Sequence, residues 1–404
     1  MVEGFKNTEL GLIPMSWELK AISNIAEVCT GNTPPTSDKS NYGTEYLFVG
    51  PADLGKGRFI LDSEKKLSTK GFNLSRKYPT NSILYTCIGS TIGKSGISIR
   101  ELTSNQQINA IFPNNNFDSD YLFYALALIS NRIKQGAGES AVPIINKTEF
   151  GEIKTPFPPT KAEQTAIATA LNDADALITQ LEKLIAKKKA IKQGAMQELL
   201  KPKVGWETKT LGEIVKSTQL GGNYANSEAI TNYPLIKMGN IQRGFISTNK
   251  IEYIVGNCIL NERDRLKYGD VLFNTRNTLE LVGKVSIWRD ELPKAYFNSN
   301  LMRLEFNSSY ISSNFFINSI FNTRRIISKF KDIATGTTSV AAIYTRDLMK
   351  VEIKFPPKEE QNRIAEILSD MDNEIKRLVN KLEKQKQLKQ GMMQSLLTGK
   401  IRLV

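Results

Sequence analysis

Two long segments of the chain carry apolar residues at alternating steps of four and three positions. The first segment has them at Ile167, Leu171, Ala174, Ile178, Leu181 and Ile185, and the second at Ile364, Leu368, Met371, Ile375, Leu378 and Leu382. This spacing is typical of a coiled-coil seam. Thr160 and Glu163 have the spacing of a capping box, and Pro202 and Gly399 follow the segments as stop signals. The pattern predicts two helices of about 40 residues, roughly 60 Å long each.

The sequence before each long segment has short apolar runs separated by Gly, Asn and Pro. Four of these runs are residues 46–49, 83–88, 235–238 and 351–355. Runs of this length between turn residues are typical of strands. We therefore predict a mixed α/β (α+β) fold with two similar globular domains. The predicted boundaries are 1–157 and 204–356 for the domains, and 158–203 and 357–404 for the long helices.

The chain also contains an internal repeat. Phe157-Pro-Pro-Thr-Lys-Ala-Glu-Gln164 corresponds to Phe355-Pro-Pro-Lys-Glu-Glu-Gln361, and the two copies then run without a gap to Lys-Gln-Gly-x-Met-Gln. Looser matches pair Trp17-Glu18 with Trp206-Glu207, residues 49–57 with 236–244, and residues 138–142 with 336–340. A repeat of this length indicates a duplicated unit of one globular domain followed by one long helix.

Each apolar seam needs a partner, and the other long helix of the same chain is the nearest candidate. If the two helices pack antiparallel, an approximate two-fold axis relates the two globular domains. Packing of each helix on its own domain, or on another protein, stays open here because a seam does not name its partner.

Composition narrows the possible chemistry. Lys and Arg outnumber Asp and Glu by 54 to 41, and the resulting net charge of +13 favours a polyanionic partner such as nucleic acid. The chain has no histidine, which excludes Ser-His-Asp and Cys-His catalysis. Its three cysteines predict neither a disulfide framework nor a zinc ribbon. Without a signal-peptide pattern or a membrane-length apolar run, we expect a soluble cytoplasmic protein.

The stretch Ile88-Gly-Ser-Thr-Ile-Gly-Lys-Ser95 is similar to a phosphate-binding P-loop, but three residues separate its glycines where a P-loop has four. The second copy keeps a Gly283-Lys284 pair and has a segment containing Arg276 in place of Gly89. A phosphate cradle would not survive that change. We therefore predict that Gly93-Lys94 and Gly283-Lys284 form turns between strands.

Together these features resemble the specificity subunit of type I restriction-modification systems. The resemblance rests on the two Phe-Pro-Pro…Glu-Gln helices, the Trp-Glu pairs, the Thr30-Gly-Asn-Thr-Pro34 loop and the Gly-Lys turns, and covers essentially the whole chain. It implies that each globular part is a target-recognition domain that reads one half of a split, asymmetric sequence in double-stranded DNA. It also implies that the two helices form an antiparallel spacer that docks two methyltransferase (modification) subunits, which restriction/translocase subunits join.

By the same resemblance, this chain is a non-catalytic reader with no cofactor or metal of its own. S-adenosylmethionine, ATP and Mg²⁺ are expected on the partner subunits. The residues agree, because Asn32-Thr-Pro-Pro35 has the wrong order for the Asn-Pro-Pro-aromatic motif of an adenine methyltransferase.

Candidate DNA contacts are basic, amide and hydroxyl residues on predicted loops, since these groups bind phosphates and base edges. In the first domain they are Thr33, Ser37, Lys39, Lys56, Arg58, Ser90, Thr91, Lys94 and Gln106. In the second domain they are Asn223, Tyr224, Asn240, Arg243, Arg276, Asn277, Lys284 and Asn298. Because the Gly-Lys turn recurs in domains that should read different sequences, we assign Lys94 and Lys284 to shared structure or phosphate contact. For each candidate the alternative is a local turn role.

Two other hypotheses remain at this stage. One is a coiled-coil adaptor whose globular domains bind proteins, and the other is an enzyme that uses the Gly-Lys loops on nucleotide phosphates. Lysines 187, 188, 189 and 192 either follow a DNA backbone or form the solvated face of the helix. The usual charge of helix exteriors favours the solvated face.

Overall fold

A computed structural model describes residues 4–136, 142–256 and 258–403. The chain divides into two compact units, one of Met1–Glu182 with Lys381–Val404 and the other of Lys183–Asn380. Each unit therefore contains one globular part and a segment of each long helix. Residues 138–141, which the repeat matches to residues 336–339, lie outside the described residues.

Among its described residues, the first unit holds twelve strands and parts of both long helices. Its strands are β1 (Phe5–Thr8), β2 (Gly11–Pro14), β3 (Glu18–Ala21), β4 (Val28–Thr30), β5 (Tyr42–Val49), β6 (Phe59–Ile60), β7 (Lys65–Leu67), β8 (Ile83–Thr86), β9 (Ser95–Ser98), β10 (Thr103–Ser104), β11 (Ile108–Ile111) and β12 (Lys154–Phe157). Its helices are α1 (Ile22–Ile25), α2 (Thr69–Leu74), α3 (Ser119–Gly136), α4 (Lys147–Glu152) and the start of α5 (Lys161–Leu199), with 3₁₀ turns at Lys39–Asn41 and Gly89–Thr91.

The core of the first globular part is a five-stranded sheet in the order β4-β11-β8-β9-β6. Ile83, Ile97 and Ile111 on this sheet are buried against Leu122 and Leu126 of α3. The predicted strand at 83–88 therefore exists, and it ends at Thr86. A three-stranded sheet β10-β5-β7 lies beside it and contains the predicted 46–49 strand.

The second unit repeats this plan. Its strands are β13 (Glu207–Thr210), β14 (Val215–Leu220), β15 (Asn226–Ser227), β16 (Pro234–Ile236), β17 (Glu252–Ile254), β18 (Val271–Asn274), β19 (Arg276–Asn277), β20 (Val285–Ile287), β21 (Tyr296–Phe297), β22 (Leu301–Phe306), β23 (Thr335–Gly336), β24 (Ala341–Ala342) and β25 (Glu352–Phe355). Its helices are α6 (Leu211–Ile214), α7 (Asn314–Phe321), α8 (Arg324–Asp332), α9 (Thr345–Leu348) and most of α10 (Lys358–Leu396), with a 3₁₀ turn at Glu262–Asp264.

The central sheet of the second unit has the order β14-β22-β18-β20 and is antiparallel throughout. Phe273 and Val285 of this sheet pack with Phe316 of α7 and Phe330 of α8. Two smaller sheets, β15-β17-β16-β21 and β19-β24-β23, complete the unit. The fold is thus mixed α/β with a duplicated plan, as the sequence predicts.

The two long helices are each 39 residues long, close to the predicted length. Within the first unit, Asp175 of α5 accepts a hydrogen bond from Lys389 of α10 at 2.5 Å. Further along α5, Glu182 pairs with Lys386 at 3.0 Å. Because the partner number falls as the α5 number rises, the helices are antiparallel in this unit.

The second unit shows the same pairing with the roles of the helices exchanged. Lys192 of α5 pairs with Asp372 of α10, and Lys188 pairs with Glu374 at 2.7 Å. Packing of each helix on its own domain alone is therefore wrong. The prediction that the lysine run is simply a solvated face is wrong for Lys188 and Lys192, because both are bound across the helix pair.

The repeated Glu-Gln motif fastens each long helix to its globular part. The Gln361 amide, fully buried, accepts a hydrogen bond from the Ser312 backbone at 3.1 Å and donates to Tyr310 and Pro356 carbonyls at 2.9 Å. In the first unit, Gln164 accepts from the Asp118 backbone at 3.0 Å. The motif therefore serves the same structural function twice.

The predicted capping box at Thr160 is half formed. The Thr160 hydroxyl accepts a hydrogen bond from the Glu163 backbone at 3.2 Å. The buried Glu163 carboxylate, however, binds the Arg402 guanidinium with both oxygens. Arg402 thus binds the Glu163 carboxylate, which in a full capping box would accept a hydrogen bond from the Thr160 backbone. Among the described residues, no helix has the length and apolar character needed to cross a membrane.

Candidate nucleic-acid interface

Four connecting segments lie side by side in each globular part, and we name them loops 1 to 4. In the first unit they are residues 31–38, 50–57, 87–94 and 104–107, and in the second unit residues 221–224, 237–244, 275–284 and 298–300. Most of the residues that the sequence predicts to contact DNA lie on these loops.

In the first unit, hydrogen bonds join the loops or their flanking residues. The Thr33 hydroxyl of loop 1 donates to the Gln106 amide of loop 4 at 2.7 Å. The backbone of Asn105 in loop 4 donates to the Val49 carbonyl, just before loop 2, at 3.2 Å. Loop 3 adjoins loop 2 because Gly55 approaches the Lys94 side chain so closely that a Cβ on Gly55 would lie 3.3 Å from Lys94 Cγ.

The second unit has equivalent connections. Ser299 of loop 4 donates through its backbone to Gly222 of loop 1 at 3.0 Å, and Asn298 donates to the Ile236 carbonyl at 3.1 Å. The Lys284 ammonium of loop 3 donates to the Gln242 side chain of loop 2 at 3.4 Å. The four loops therefore form one continuous surface in each globular part.

Loop 2 has the same internal turn in both units. The Asp53 carboxylate accepts from the Gly50 backbone at 2.9 Å, and the Asn240 amide oxygen accepts from the Lys237 backbone at 2.9 Å. Asn240 also donates to the Ser247 and Lys250 carbonyls. A short polar side chain thus fixes the loop and presents the basic residue three positions later, Lys56 or Arg243.

The Gly-Lys pairs are turns between antiparallel strands, as predicted. Gly93 and Gly283 have φ angles of 98° and 72°, values in the left-handed region that favours glycine. Each turn places its lysine beside loop 2, so that Lys94 adjoins Gly55 and Lys284 adjoins Gln242. Both lysines therefore reach the loop surface through shared backbone geometry.

Several basic residues of the loops have no carboxylate partner in the described part of the chain, whereas Lys237 of loop 2 pairs with Glu252 at 2.9 Å. Among the described residues, no carboxylate forms an ion pair with Lys56, Lys94, Arg243 or Lys284. Burial, and then repulsion from Arg243, lowers the pKa of Lys284, while burial lowers the pKa of Arg243. Two cations that repel each other in a partly desolvated site favour the binding of an anion between them.

The predicted contact residues differ in exposure. Ser37, Lys39, Lys56, Ser90, Lys94, Gln106, Asn223 and Arg276 are exposed. Thr33, Arg58, Thr91, Arg243, Asn277, Lys284 and Asn298 are half-buried. Tyr224 and Asn240 are buried.

Three of the predicted DNA contacts interact with other residues of their own domain, and we no longer assign them to the interface. The Tyr224 hydroxyl donates to Asp264 at 2.6 Å, and burial followed by this bond raises the pKa of Tyr224 to about 12. Asn240 uses its amide inside loop 2. Arg58 lies 3.4 Å from Asp120, stacks on the Phe59 ring, and is 19% exposed. Tyr224 and Asn240 therefore have hydrogen-bond partners within the unit, and Arg58 has a carboxylate and an aromatic ring beside it.

Ser37 lies at the far end of loop 1, and Lys39 lies just beyond it, in the 3₁₀ turn Lys39–Asn41. Their neighbour Asp38 binds Lys70 of α2 at 2.7 Å, which holds this end of the loop on α2. The structure brings Thr33, but not these two residues, together with loop 4.

Sequence reasoning missed two polar residues of this surface. Gln242 holds the Lys284 ammonium, and its position beside Arg243 was the available signal. Lys134, at the end of α3, donates to the Ser90 carbonyl of loop 3 at 3.3 Å. Nothing in the helical pattern of α3 distinguishes Lys134 from an ordinary solvated lysine, so only the tertiary structure shows its place.

Comparison with known proteins follows the same division of the chain. A family model described as Type I restriction modification DNA specificity domain matches residues 14–193 and 203–390. The type I restriction enzyme MjaVIII specificity subunit of Methanocaldococcus jannaschii is 27% identical, over 99% of this chain and 96% of that protein.

Solved structures show a similar fold. The crystal structure of a type I restriction-modification S subunit from M. genitalium has a TM-score of 0.61 at 16% identity, covering 98% of this chain and 99% of that one. A chain from a study of complex assembly and conformational transition of the type I R-M system has a TM-score of 0.54 at 15% identity. That similarity covers 96% of this chain and 99% of the other.

Proposed function

This chain belongs to the type I restriction-modification DNA specificity family, and from that premise we propose that its two loop surfaces read the two halves of a split DNA target. The observation that carries the proposal is the repeated position of Lys94 and Lys284 beside loop 2, without carboxylate partners in the described part of the chain. A cation at the same place in both domains suits the feature that both half-sites share, the phosphate backbone.

Base readout falls to loop positions where the two domains differ. In the first domain these are Thr33, Ser90 and Gln106, and in the second domain Asn223, Arg276 and Asn298. Arg276 is exposed at a position occupied by Ile88 in the first domain, and arginine binds guanine bidentately in the major groove. Because the two sets differ, the two half-sites differ and the full target is asymmetric.

The long helices carry the surface for the other subunits of the complex. Ile191 of α5 and Leu388 of α10 occupy matching positions in the repeat, and they are 47% and 55% exposed. Leu184, also on α5, is exposed as well. Apolar residues repeated on the outer faces of both helices support docking of two copies of one partner, the methyltransferase subunit.

The chemical steps belong to those partners. In this proposal the methyltransferase subunits bind S-adenosylmethionine, and the restriction/translocase subunits bind ATP and Mg²⁺. This chain contributes DNA specificity and no reacting group.

A map of methylated bases across the genome, with and without this gene, tests the proposed function. We expect methylation at one split, asymmetric motif to disappear when the gene is removed. Replacing the first globular part by that of a relative should then change one half of the motif and leave the other intact. A complex that methylates the same motif after this exchange would contradict the proposal.

Duplex binding at increasing salt separates this function from a protein-binding adaptor. Contacts to phosphates release counter-ions, so the logarithm of DNA affinity should fall linearly with the logarithm of salt concentration. An adaptor would show no sequence-selective duplex binding at any salt concentration.

A further inference from the structure

An exposed valine lies beside the loop surface of the second domain. The hairpin of β23 and β24 closes through a turn in which the Thr337 backbone donates to the Val340 carbonyl at 2.9 Å. Val340 is 70% exposed, whereas Ala341 is 1% exposed and belongs to the core. The base of the hairpin is thus anchored while its tip presents an aliphatic side chain to solvent.

The hairpin is part of the candidate interface. Strand β24 pairs with β19, where Arg276 lies opposite Ala342. In addition, the Ile343 backbone donates to the Thr275 carbonyl of loop 3 at 3.0 Å, and the Leu279 backbone donates to Thr338 at 3.2 Å. Val340 therefore lies two residues from Ala342, the strand partner of the basic, exposed Arg276.

The first domain places Val142 in the same position. The Ile145 backbone donates to the Cys87 carbonyl of loop 3 at 2.9 Å, as Ile343 does to Thr275. Ile88 forms a bridge with Ile144, as Arg276 does with Ala342. Val142 lies three residues before the buried Ile145 and is 58% exposed.

The two valines are exposed at equivalent positions of the two domains, and neither core packing nor base readout explains this. An exposed valine adds nothing to the core of its domain, since its side chain faces water. A residue common to both domains does not distinguish their half-sites. An aliphatic group beside phosphate-binding cations can instead enter the base stack, because apolar side chains part neighbouring bases without regard to hydrogen-bond pattern.

We propose that Val142 and Val340 are wedges, each of which unstacks a base step in the half-site bound by its own domain. The inference rests on the proposed function, because it requires the loop surface to bind DNA. Loop 3 and its lysine fix the backbone, and the valine then fills the space between two bases. Unstacking of this kind lowers the cost of extruding a neighbouring base for chemistry.

The test uses the full complex and duplexes that contain the mapped motif with 2-aminopurine at each adenine in turn. The fluorescence of 2-aminopurine rises when the base is unstacked. We expect a rise in both half-sites with the wild-type complex. Val340→Ala should abolish the rise in the second half-site alone, and Val142→Ala in the first half-site alone, so each variant is the matched control of the other.

Two further measurements keep the outcome decisive. Val340→Ile retains apolar bulk and should restore the fluorescence rise, and permanganate reactivity of thymines should follow the same pattern. An unchanged rise in Val340→Ala would overturn the inference, as would failure of that variant to assemble, since the valine would then be a partner contact.

Failure of the proposed function gives a different result. In that case the wild-type complex would neither bind the duplex selectively nor methylate it. If the complex binds the duplex selectively but the fluorescence rise does not depend on the valines, only the wedge inference is contradicted.

Discussion

The carboxylate of Asp175 accepts a hydrogen bond from the ammonium of Lys389 at 2.5 Å, although the two residues are 214 positions apart. The repeat places Lys192 and Asp372 at the corresponding positions, and they form the corresponding ion pair in the other unit. Each long helix therefore supplies the anion in one unit and the cation in the other, and this exchange is what an antiparallel pair of related helices requires.

The Asp175–Lys389 pair should contribute measurably to stability. Both side chains are less than one-third exposed, at 30% and 22%, so solvent screens them only in part. We expect Lys389→Glu to lower the free energy of unfolding by about 1 kcal/mol, and Asp175→Lys with Lys389→Glu to recover part of it. Denaturant unfolding of the four proteins in this cycle measures the coupling. The more exposed pair Glu182–Lys386 is the control and should couple less strongly.

Gln361 should be among the most sensitive positions of α10. Replacement by Ala leaves the buried Pro356 carbonyl, the half-buried Tyr310 carbonyl and the Ser312 backbone N–H without the partner that Gln361 provides. We expect a loss of about 2–4 kcal/mol in unfolding free energy, because unpaired buried polar groups keep their full desolvation cost. Gln387→Ala, at an exposed position on the same helix, should cost very little. Equal losses in the two variants would contradict the assigned role.

Lys94 and Lys284 should contribute equally to specific and non-specific DNA binding. Replacing either lysine by Gln removes one phosphate contact, so affinity for all duplexes should fall together. The slope of log affinity against log salt should become shallower by about 1. Lys354→Gln serves as the control because Lys354 is exposed on β25, outside the four loops. If Lys284→Gln changed the recognised bases instead, its assignment to phosphate would be wrong.

DNA affinity should fall at alkaline pH through Lys284. Burial and Arg243 lower the pKa of Lys284 in the free protein, and a bound phosphate would raise it again. Binding above the free-state pKa then requires uptake of a proton, so affinity declines as pH rises through that value. Arg243→Gln should move the decline to higher pH, and Lys284→Arg should remove it. Fluorescence anisotropy of a labelled duplex across pH measures both effects, and a decline that persists in Lys284→Arg would exclude Lys284 as its source.

The long helices were the most predictable part of the molecule. Their seams and lengths follow from a pattern that is local and repeated, since a helix brings residues three and four apart to one face. The antiparallel pairing was one of the alternatives that the pattern left open, and the ion pairs across the two helices decided it. The ion pairs of Lys188 and Lys192 were not predicted, because a pattern of apolar positions does not show which charged side chains meet across a seam.

The candidate interface was less predictable. Residue type correctly indicated loops rich in Lys, Asn and Gly, but Tyr224 and Arg58 have the same polar chemistry as a DNA contact and are bound to Asp264 and Asp120 instead. Whether a polar side chain faces solvent or its own domain depends on neighbours distant in sequence. A single sequence does not show which residues become those neighbours.

The sequence by itself determined the duplication, the two long helices, the mixed α/β domains and the family. These follow from local spacing and from identity between the two halves of one chain. The tertiary structure decided which loops lie together, that Lys284 adjoins Arg243, and that Val142 and Val340 occupy equivalent exposed positions. Those relations join segments far apart in sequence, and only the packing of sheets and helices between them brings such segments into contact.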